Sequence, residues 1–317
     1  MCSLSVRATE SPAVLLPAST ESSAALLNLV HLKELMERTR GSADVKIGLI
    51  DGPVAVNHPD LPSSNIREIP GNLPGSCART GGSACTHGTL VAGILLAKSG
   101  SGAPGIAPDC TLLVRPIFGD GPARNNGSPS ATPDELATAI IDAVDAGARV
   151  LNLSAAIFHG DPKGEQRLSA ALDYAARRGA LVVAASGNQA TLGSSAITRH
   201  PWVIPVVACG ADGRLSDISN LGNSIGRQGL SAPGENIVSV GAGGKLETAS
   251  GTSAAAPFVT GAIALLWSEF PNASATEVKL AITGNARHPR KALVPPLLNA
   301  WAAYQTLAVA NRGGKVS

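Results

Sequence analysis

The sequence of 317 residues is poor in aromatic side chains, in charge and in long hydrophobic runs. Nine aromatic residues and a formal net charge of +2 give neither a stacking surface nor a basic footprint, so we expect no nucleic-acid partner. Apolar runs such as 262–267 fall well short of the roughly 20 residues that span a bilayer, so we expect a soluble chain without a membrane partner. The first twenty residues do not resemble a secretion signal, which favours a cytoplasmic location.

Cysteine is also scarce. Five cysteines are too few for a disulfide-stabilised scaffold, and their spacing does not suggest a structural zinc site, so we expect no metal and no cofactor. Cys77 and Cys85 bracket a glycine-rich loop, and their separation of eight positions allows a disulfide. Free thiols are the simpler interpretation, because a sequence does not reveal the pairing geometry.

The sequence does contain a regular alternation of apolar runs and helical segments. The runs are typical of strands buried on both faces of a sheet, and they lie at 45–51, 110–117, 148–155, 180–186, 202–209 and 236–242. Helical spacing of apolar residues occurs at 22–41, 86–100, 133–147 and 164–180. The pattern predicts an α/β fold, doubly wound, with a mainly parallel sheet flanked by helices on both faces.

The chain shows no internal repeat and no long polar linker, so we predict one domain over 44–317, preceded by a leader segment and helix over 1–43. In a doubly wound sheet, ligands bind at the carboxyl ends of the strands. We therefore expect the reactive side chains at that edge.

Three residues of complementary chemistry stand at such positions. Asp51 ends the first apolar run, His87 opens a helical segment and Ser253 opens another. A serine hydroxyl becomes a strong nucleophile when an imidazole accepts its proton, and a carboxylate fixes that imidazole in the required tautomer. Each residue alone has a structural explanation, as a turn residue, a helix residue or an N-cap.

The sequences around these residues are more specific. DGPVAVNHPDL, THGTLVAGIL, VVAASGN and SGTSAAAPFVTGAIALLW resemble those of subtilisin-like serine proteases in content and order, over roughly residues 44 to 285. The resemblance implies that Asp51 orients the imidazole, that His87 is the general base and then the general acid, and that Ser253 is the nucleophile.

Further residues follow from the same resemblance. Asn188 is implied as the side-chain donor of the oxyanion hole, with the backbone N–H of Ser253 as the second donor. An extended substrate is implied to pair with Ser154, Ala155 and Ala156 on one side. On the other side we expect Gly119 to Gly121 to contact the substrate, although this glycine-rich stretch is equally typical of a surface loop.

The sequence departs from the family pattern at three positions. Ala156 replaces the usual glycine, Ala254 replaces the methionine that commonly follows the nucleophile, and Gly52-Pro53 follows the aspartate. These departures put the shape of the primary pocket and the turn behind the carboxylate in question. No dense acidic loop suggests bound calcium, and the 43 residues before residue 44 do not suggest a long prosegment, so we expect neither.

Segments such as TLLVRPIF and RQGLSAPGENI look like the proteases of cyanobactin pathways, which cut ribosomally made precursor peptides. We therefore expect a serine endopeptidase whose partner is a peptide or protein substrate, in particular a precursor peptide. Two alternatives remain: a catalytically weak peptide-binding module, and a relative that transfers the acyl group to an amine and cyclises the peptide. The spacings of 36 positions from Asp51 to His87 and 101 from His87 to Asn188 leave little room for the lid that cyclisation needs.

Overall fold

The computed structural model describes residues 20–78, 81–119, 131–154, 162–284 and 292–313. Its helices are α1 (Thr20–Leu29), α2 (Leu32–Arg38), α3 (Ser83–Leu96), α4 (Pro133–Asp145), α5 (Pro162–Arg177), α6 (Ala196–Arg199), α7 (Asn223–Gln228), α8 (Thr252–Glu269), α9 (Ala275–Thr283) and α10 (Ala300–Gly313). Its strands are β1 (Lys46–Ile50), β2 (Ile66–Glu68), β3 (Thr111–Val114), β4 (Val150–Leu153), β5 (Leu181–Ala185), β6 (Val203–Cys209), β7 (Leu230–Pro233), β8 (Ile237–Val240) and β9 (Leu246–Ala249).

Seven strands form one parallel sheet in the order β2-β3-β1-β4-β5-β6-β7. Five of them coincide with the predicted apolar runs, because a strand covered on both faces needs apolar side chains on both. Along β5, Val183 faces the side that holds α3 and α8, whereas Val182 faces the side that holds α4 and α5. The predicted doubly wound α/β fold is confirmed.

Helix α8 occupies the centre of the larger core. Thr252 and every residue from Ala254 to Trp267 are buried, so the helix is enclosed on all sides and has no polar face. The indole N–H of Trp267 donates a hydrogen bond to the carbonyl oxygen of Ala273 at 2.9 Å. Helix α3 packs against α8.

Three details differ from the sequence-based expectations. The single helix expected over 22–41 is two helices, because His31 adopts left-handed backbone angles (φ 52°) between α1 and α2. The run 236–242 supplies β8, which pairs antiparallel with β9 outside the main sheet. The last strand of the main sheet is instead β7, which lies outside the predicted runs and pairs with β6.

Cys77 and Cys85 form a disulfide, so the simpler interpretation of two free thiols was wrong. The buried Cys110 and Cys209 are free. In the described part of the chain, no helix combines the length and the apolar character required to cross a membrane.

Candidate active site

Several polar residues meet at the carboxyl edge of the sheet. Asp51 directly follows β1, Ser154 directly follows β4, and Asn188 lies three residues past β5. The start of α8 is attached to the same edge, because Gly251 N–H donates to the carbonyl oxygen of Gly234, the residue after β7, at 2.7 Å. Parallel strands place all these residues on one side of the sheet.

Asp51 and His87 are in direct contact. Oδ1 of Asp51 lies 2.7 Å from Nδ1 of His87 and also accepts the N–H of Gly52 at 2.6 Å. Asp51 is completely buried, whereas 39% of the His87 side chain is exposed. A carboxylate only accepts hydrogen bonds, so Nδ1 carries the proton and Nε2 is left as an acceptor. This is the tautomer that a general base requires.

The charge of Asp51 raises the pKa of His87 above its ordinary value of 6.5, and the hydrogen bond that the imidazole donates to the same carboxylate adds to the effect. Burial opposes the shift by disfavouring the charged imidazolium. The net direction means that Asp51 stabilises the imidazolium that forms when His87 takes a proton.

The pair depends on a close approach of α3 to the segment after Asp51. A Cβ atom at Gly52 would overlap the carbonyl oxygen of Ala84 in α3, and one at Gly88 would crowd the backbone oxygens of Gly52 and Pro53. His87 is the fifth residue of α3, which begins earlier than expected, at Ser83. Gly52-Pro53 is therefore compatible with contact between Asp51 and His87, because only glycine at position 52 lets α3 come this close.

Ser253 is the second residue of α8 and is partly exposed, at the positive end of the helix dipole. Pro257, one turn later, has no N–H, so it cannot bond to the carbonyl oxygen of Ser253. Within the described residues, no hydrogen bond joins the hydroxyl of Ser253 to His87.

Asn188 is fixed by the residue that precedes the serine. Its Oδ1 accepts two hydrogen bonds from Thr252, from the backbone N–H at 2.9 Å and from Oγ1 at 2.9 Å. The hydroxyl of Thr252 also accepts the N–H of Gly187 at 3.2 Å. With its oxygen occupied, the amide can offer only its Nδ2 hydrogens to a ligand. Thr252 is not among the residues predicted from the sequence, and its place directly before Ser253 is the signal that could have identified it.

The segments expected to hold the substrate are described in part. The hydroxyl of Ser154 accepts a hydrogen bond from Nδ2 of Asn152 at 3.0 Å, and Oδ1 of Asn152 accepts one from Thr260 in α8 at 2.9 Å. Ala155, Ala156 and Gly121 lie outside the described residues.

Gly119 extends the chain beyond β3, after Ile117, whose N–H donates to the carbonyl oxygen of Asp51 at 2.9 Å. β3 and β4 lie on either side of β1, so their extensions flank Asp51.

Across the described ranges, no group of three or more His, Cys, Asp or Glu side chains is arranged to hold a metal ion.

Comparison with known proteins agrees with this geometry. A family model described as the subtilase family matches residues 42–312. Subtilisin DY from Bacillus licheniformis is 31% identical over 263 residues, which are 81% of this chain and 89% of that protein. Several other curated relatives are longer, and the matched segment covers between 39% and 66% of their lengths.

Two solved structures are similar over nearly their whole length. A mutant of the protease domain of PatA has a TM-score of 0.76 and 31% identity, and the match covers 85% of this chain and 97% of that chain. The prenylagaramide maturation protease PagA has a TM-score of 0.74 and 30% identity, with 87% of this chain and 98% of that chain covered.

Proposed function

Because this chain belongs to the subtilase family of serine peptidases, we propose that it hydrolyses peptide bonds through an acyl-enzyme formed on Ser253. The observation that carries the assignment is the 2.7 Å contact of the buried Asp51 with His87 at the sheet edge where α8 begins. The same contact gives His87 the tautomer that accepts a proton at Nε2.

In the proposed reaction, His87 Nε2 removes the proton of the Ser253 hydroxyl as its oxygen attacks the scissile carbonyl carbon. The charge that develops on the carbonyl oxygen is stabilised by Nδ2 of Asn188 and the backbone N–H of Ser253. The imidazolium, stabilised by Asp51, then protonates the leaving amine. A water molecule, activated by the same imidazole, attacks the acyl-enzyme, and its collapse releases the new carboxyl group.

The substrate is proposed to lie extended between Ser154–Ala156 and Gly119–Gly121, paired with the backbone on each side. The arrangement of β3 and β4 on either side of β1 supports this placement, because a strand-like peptide there passes over Asp51 and His87. Ala156 stands where the family commonly has glycine, so we expect the primary pocket or the approach of the substrate backbone to differ from the family pattern.

We infer that the substrate is a ribosomally made precursor peptide. Support for the substrate class comes from PagA, which is named as a maturation protease and matches 87% of this chain. The short spacings between Asp51, His87 and Asn188 favour water over an amine as the attacking group, and hence hydrolysis over cyclisation.

A fluorophosphonate probe tests the mechanism. The purified protein is expected to take up one probe per chain, and Ser253→Ala is expected to take up none. Folded wild-type protein that does not label would support a peptide-binding module instead. Precursor peptides digested in H₂¹⁸O are expected to gain the heavy oxygen at the new carboxyl group, whereas a cyclised or ligated product without it would indicate transfer to an amine.

A further inference from the structure

We propose that the Cys77–Cys85 disulfide is a positioning group for His87, and that a thiol reductant lowers turnover by opening it. The inference rests on the proposed function of His87 as the general base. It arises from where the disulfide lies in the chain and in the fold.

The two cysteines occupy different environments. Cys85 is fully buried in the first turn of α3, two positions before His87. Cys77 is partly exposed, in the loop that leads to α3. The bond therefore ties the start of the helix that carries the base to a loop that lies outside that helix.

That loop is in turn paired with the segment after the catalytic aspartate. The N–H of Val54 donates to the carbonyl oxygen of Gly75 at 2.9 Å, and the N–H of Cys77 donates to the carbonyl oxygen of Val54 at 3.2 Å. The contacts close a ring that runs from Asp51 through Val54 and Cys77 to Cys85 and His87, and back to Asp51 through the 2.7 Å hydrogen bond. The position of the imidazole relative to the carboxylate is thus constrained by the direct hydrogen bond and also by the path through the disulfide.

Other contacts hold the same elements without the disulfide. The hydroxyl of the buried Thr89 accepts the N–H of Ala55 at 2.9 Å, and Gly88 packs on the backbone of Gly52. We therefore expect reduction to loosen the approach of α3 to the segment 52–55 without unfolding the domain. A displacement on the order of 1 Å at a catalytic group can cost about a hundredfold in rate.

The chemistry of opening follows from the exposure of the sulfurs. A thiolate of a dithiol reductant attacks Sγ of the accessible Cys77, and the Cys85 thiolate leaves. Cys85 is fully buried, so the sulfur of Cys77 is the one that the reductant can reach. The second thiol of the reductant then resolves the mixed disulfide. In total the cystine gains two electrons and two protons, and the reductant becomes a disulfide.

The test compares oxidised and reduced enzyme on one peptide substrate. Dithiothreitol is expected to lower kcat about ten- to a hundredfold with little change in KM, and to move the acid limb of the pH profile to lower pH, because a loosened contact with Asp51 raises the pKa of His87 less. Reoxidation is expected to restore both values. The double variant Cys77→Ser, Cys85→Ser is expected to match the reduced enzyme and to ignore dithiothreitol, whereas Cys110→Ser is expected to respond as the wild type does.

Thiol titration establishes that the bond has opened, and circular dichroism of the reduced wild type establishes that the fold is retained, so the test does not depend on the variants folding. A reduced, folded enzyme with unchanged kcat and acid limb would overturn the inference. So would loss of the fold on reduction, which would make the bond a structural crosslink. Fluorophosphonate labelling of the oxidised enzyme separates the two proposals: without labelling the proposed function fails, and with labelling but no effect of reduction only this inference fails.

Discussion

The part of the site that carries the proton acceptor and the part that carries the nucleophile are built from different kinds of contact. The imidazole of His87 is hydrogen-bonded to the buried carboxylate of Asp51, and the backbone of α3 packs closely on Gly52. Asn188 and Ser253 lie near the surface, and their local geometry depends on hydrogen bonds made by Thr252. The acceptor is thus held by a direct hydrogen bond between its two residues, whereas the described residues show no hydrogen bond from His87 to the serine hydroxyl. The two parts are linked through the packing of α3 on α8.

The largest effect is expected when either part is removed. His87→Ala and Ser253→Ala are each expected to lower kcat about 10⁶-fold, a magnitude that comes from subtilisin, and the double variant is expected to be no worse than the worse single variant. Steady-state kinetics on one peptide, with circular dichroism to verify folding, measure this. Losses that multiply in the double variant would show that the two parts act independently.

Asp51→Asn changes the acceptor part and leaves the nucleophile part as it is. We expect kcat to fall about 10⁴-fold, again by analogy with serine proteases of known mechanism. Activity needs the neutral imidazole, so in the wild type it is lost as the pH falls through a pKa above 6.5. Without the negative charge this pKa is lower, and the acid limb of kcat/KM against pH is expected to move to lower pH. An unmoved limb would assign it to another group.

Asn188→Ala changes the nucleophile part and leaves the acceptor. Loss of one oxyanion donor is expected to lower kcat about 10²- to 10³-fold, with the acid limb unchanged. Thr252→Val keeps the Asn188 amide but removes one of the two hydrogen bonds that its oxygen accepts, so a smaller loss of about tenfold is expected. A loss larger than that of Asn188→Ala would contradict the role of Thr252 as a support for the amide.

Thr260→Val tests the buried hydrogen bond that connects α8, the helix that carries the nucleophile, to Asn152 in β4. Removing the hydroxyl leaves Oδ1 of the buried Asn152 without its α8 partner, and the free energy of unfolding is expected to fall by about 1–3 kcal/mol. Urea denaturation measures the change. The matched control is Thr306→Val, because the exposed Thr306 hydroxyl bonds to the carbonyl oxygen of Ala302 in its own helix. Equal losses in the two variants would argue against the link to Asn152.

The smallest effect is expected from mild peroxide. The residue after the nucleophile is the buried Ala254, so no oxidisable thioether adjoins Ser253, and activity is expected to survive. The variant Ala254→Met supplies that thioether and is expected to lose activity under the same treatment. Rapid inactivation of the wild type that tracks loss of fluorophosphonate labelling would contradict this account.

Most strands of the main sheet were predictable from local sequence patterns. The strand that was not, β7, is defined by its pairing with a neighbouring strand. β1, β3, β4, β5 and β6 are apolar runs bounded by turns, and their burial on both faces makes them recognisable. β7 reads Leu-Ser-Ala-Pro and has no such run, so only its pairing with β6 makes it a strand. The break at His31 involves neither glycine nor proline, and no local signal marks it.

The candidate site was predictable to a similar extent. Reactive residues after strands and at helix starts pointed to one edge of the sheet, and their flanking sequences pointed to the family. The bond between Cys77 and Cys85 and the support that Thr252 gives to Asn188 are properties of distances between loops. Spacing along a chain does not encode such distances.

The central position of α8 also bears on when activity arises during synthesis. Residues 252–269 leave the ribosome after every strand of the main sheet, yet the larger core is built around them. A nascent chain without α8 exposes the apolar surface that this helix covers and has no nucleophile. Proteolytic activity therefore requires α8 to be in place, which occurs only after every strand of the main sheet has been made.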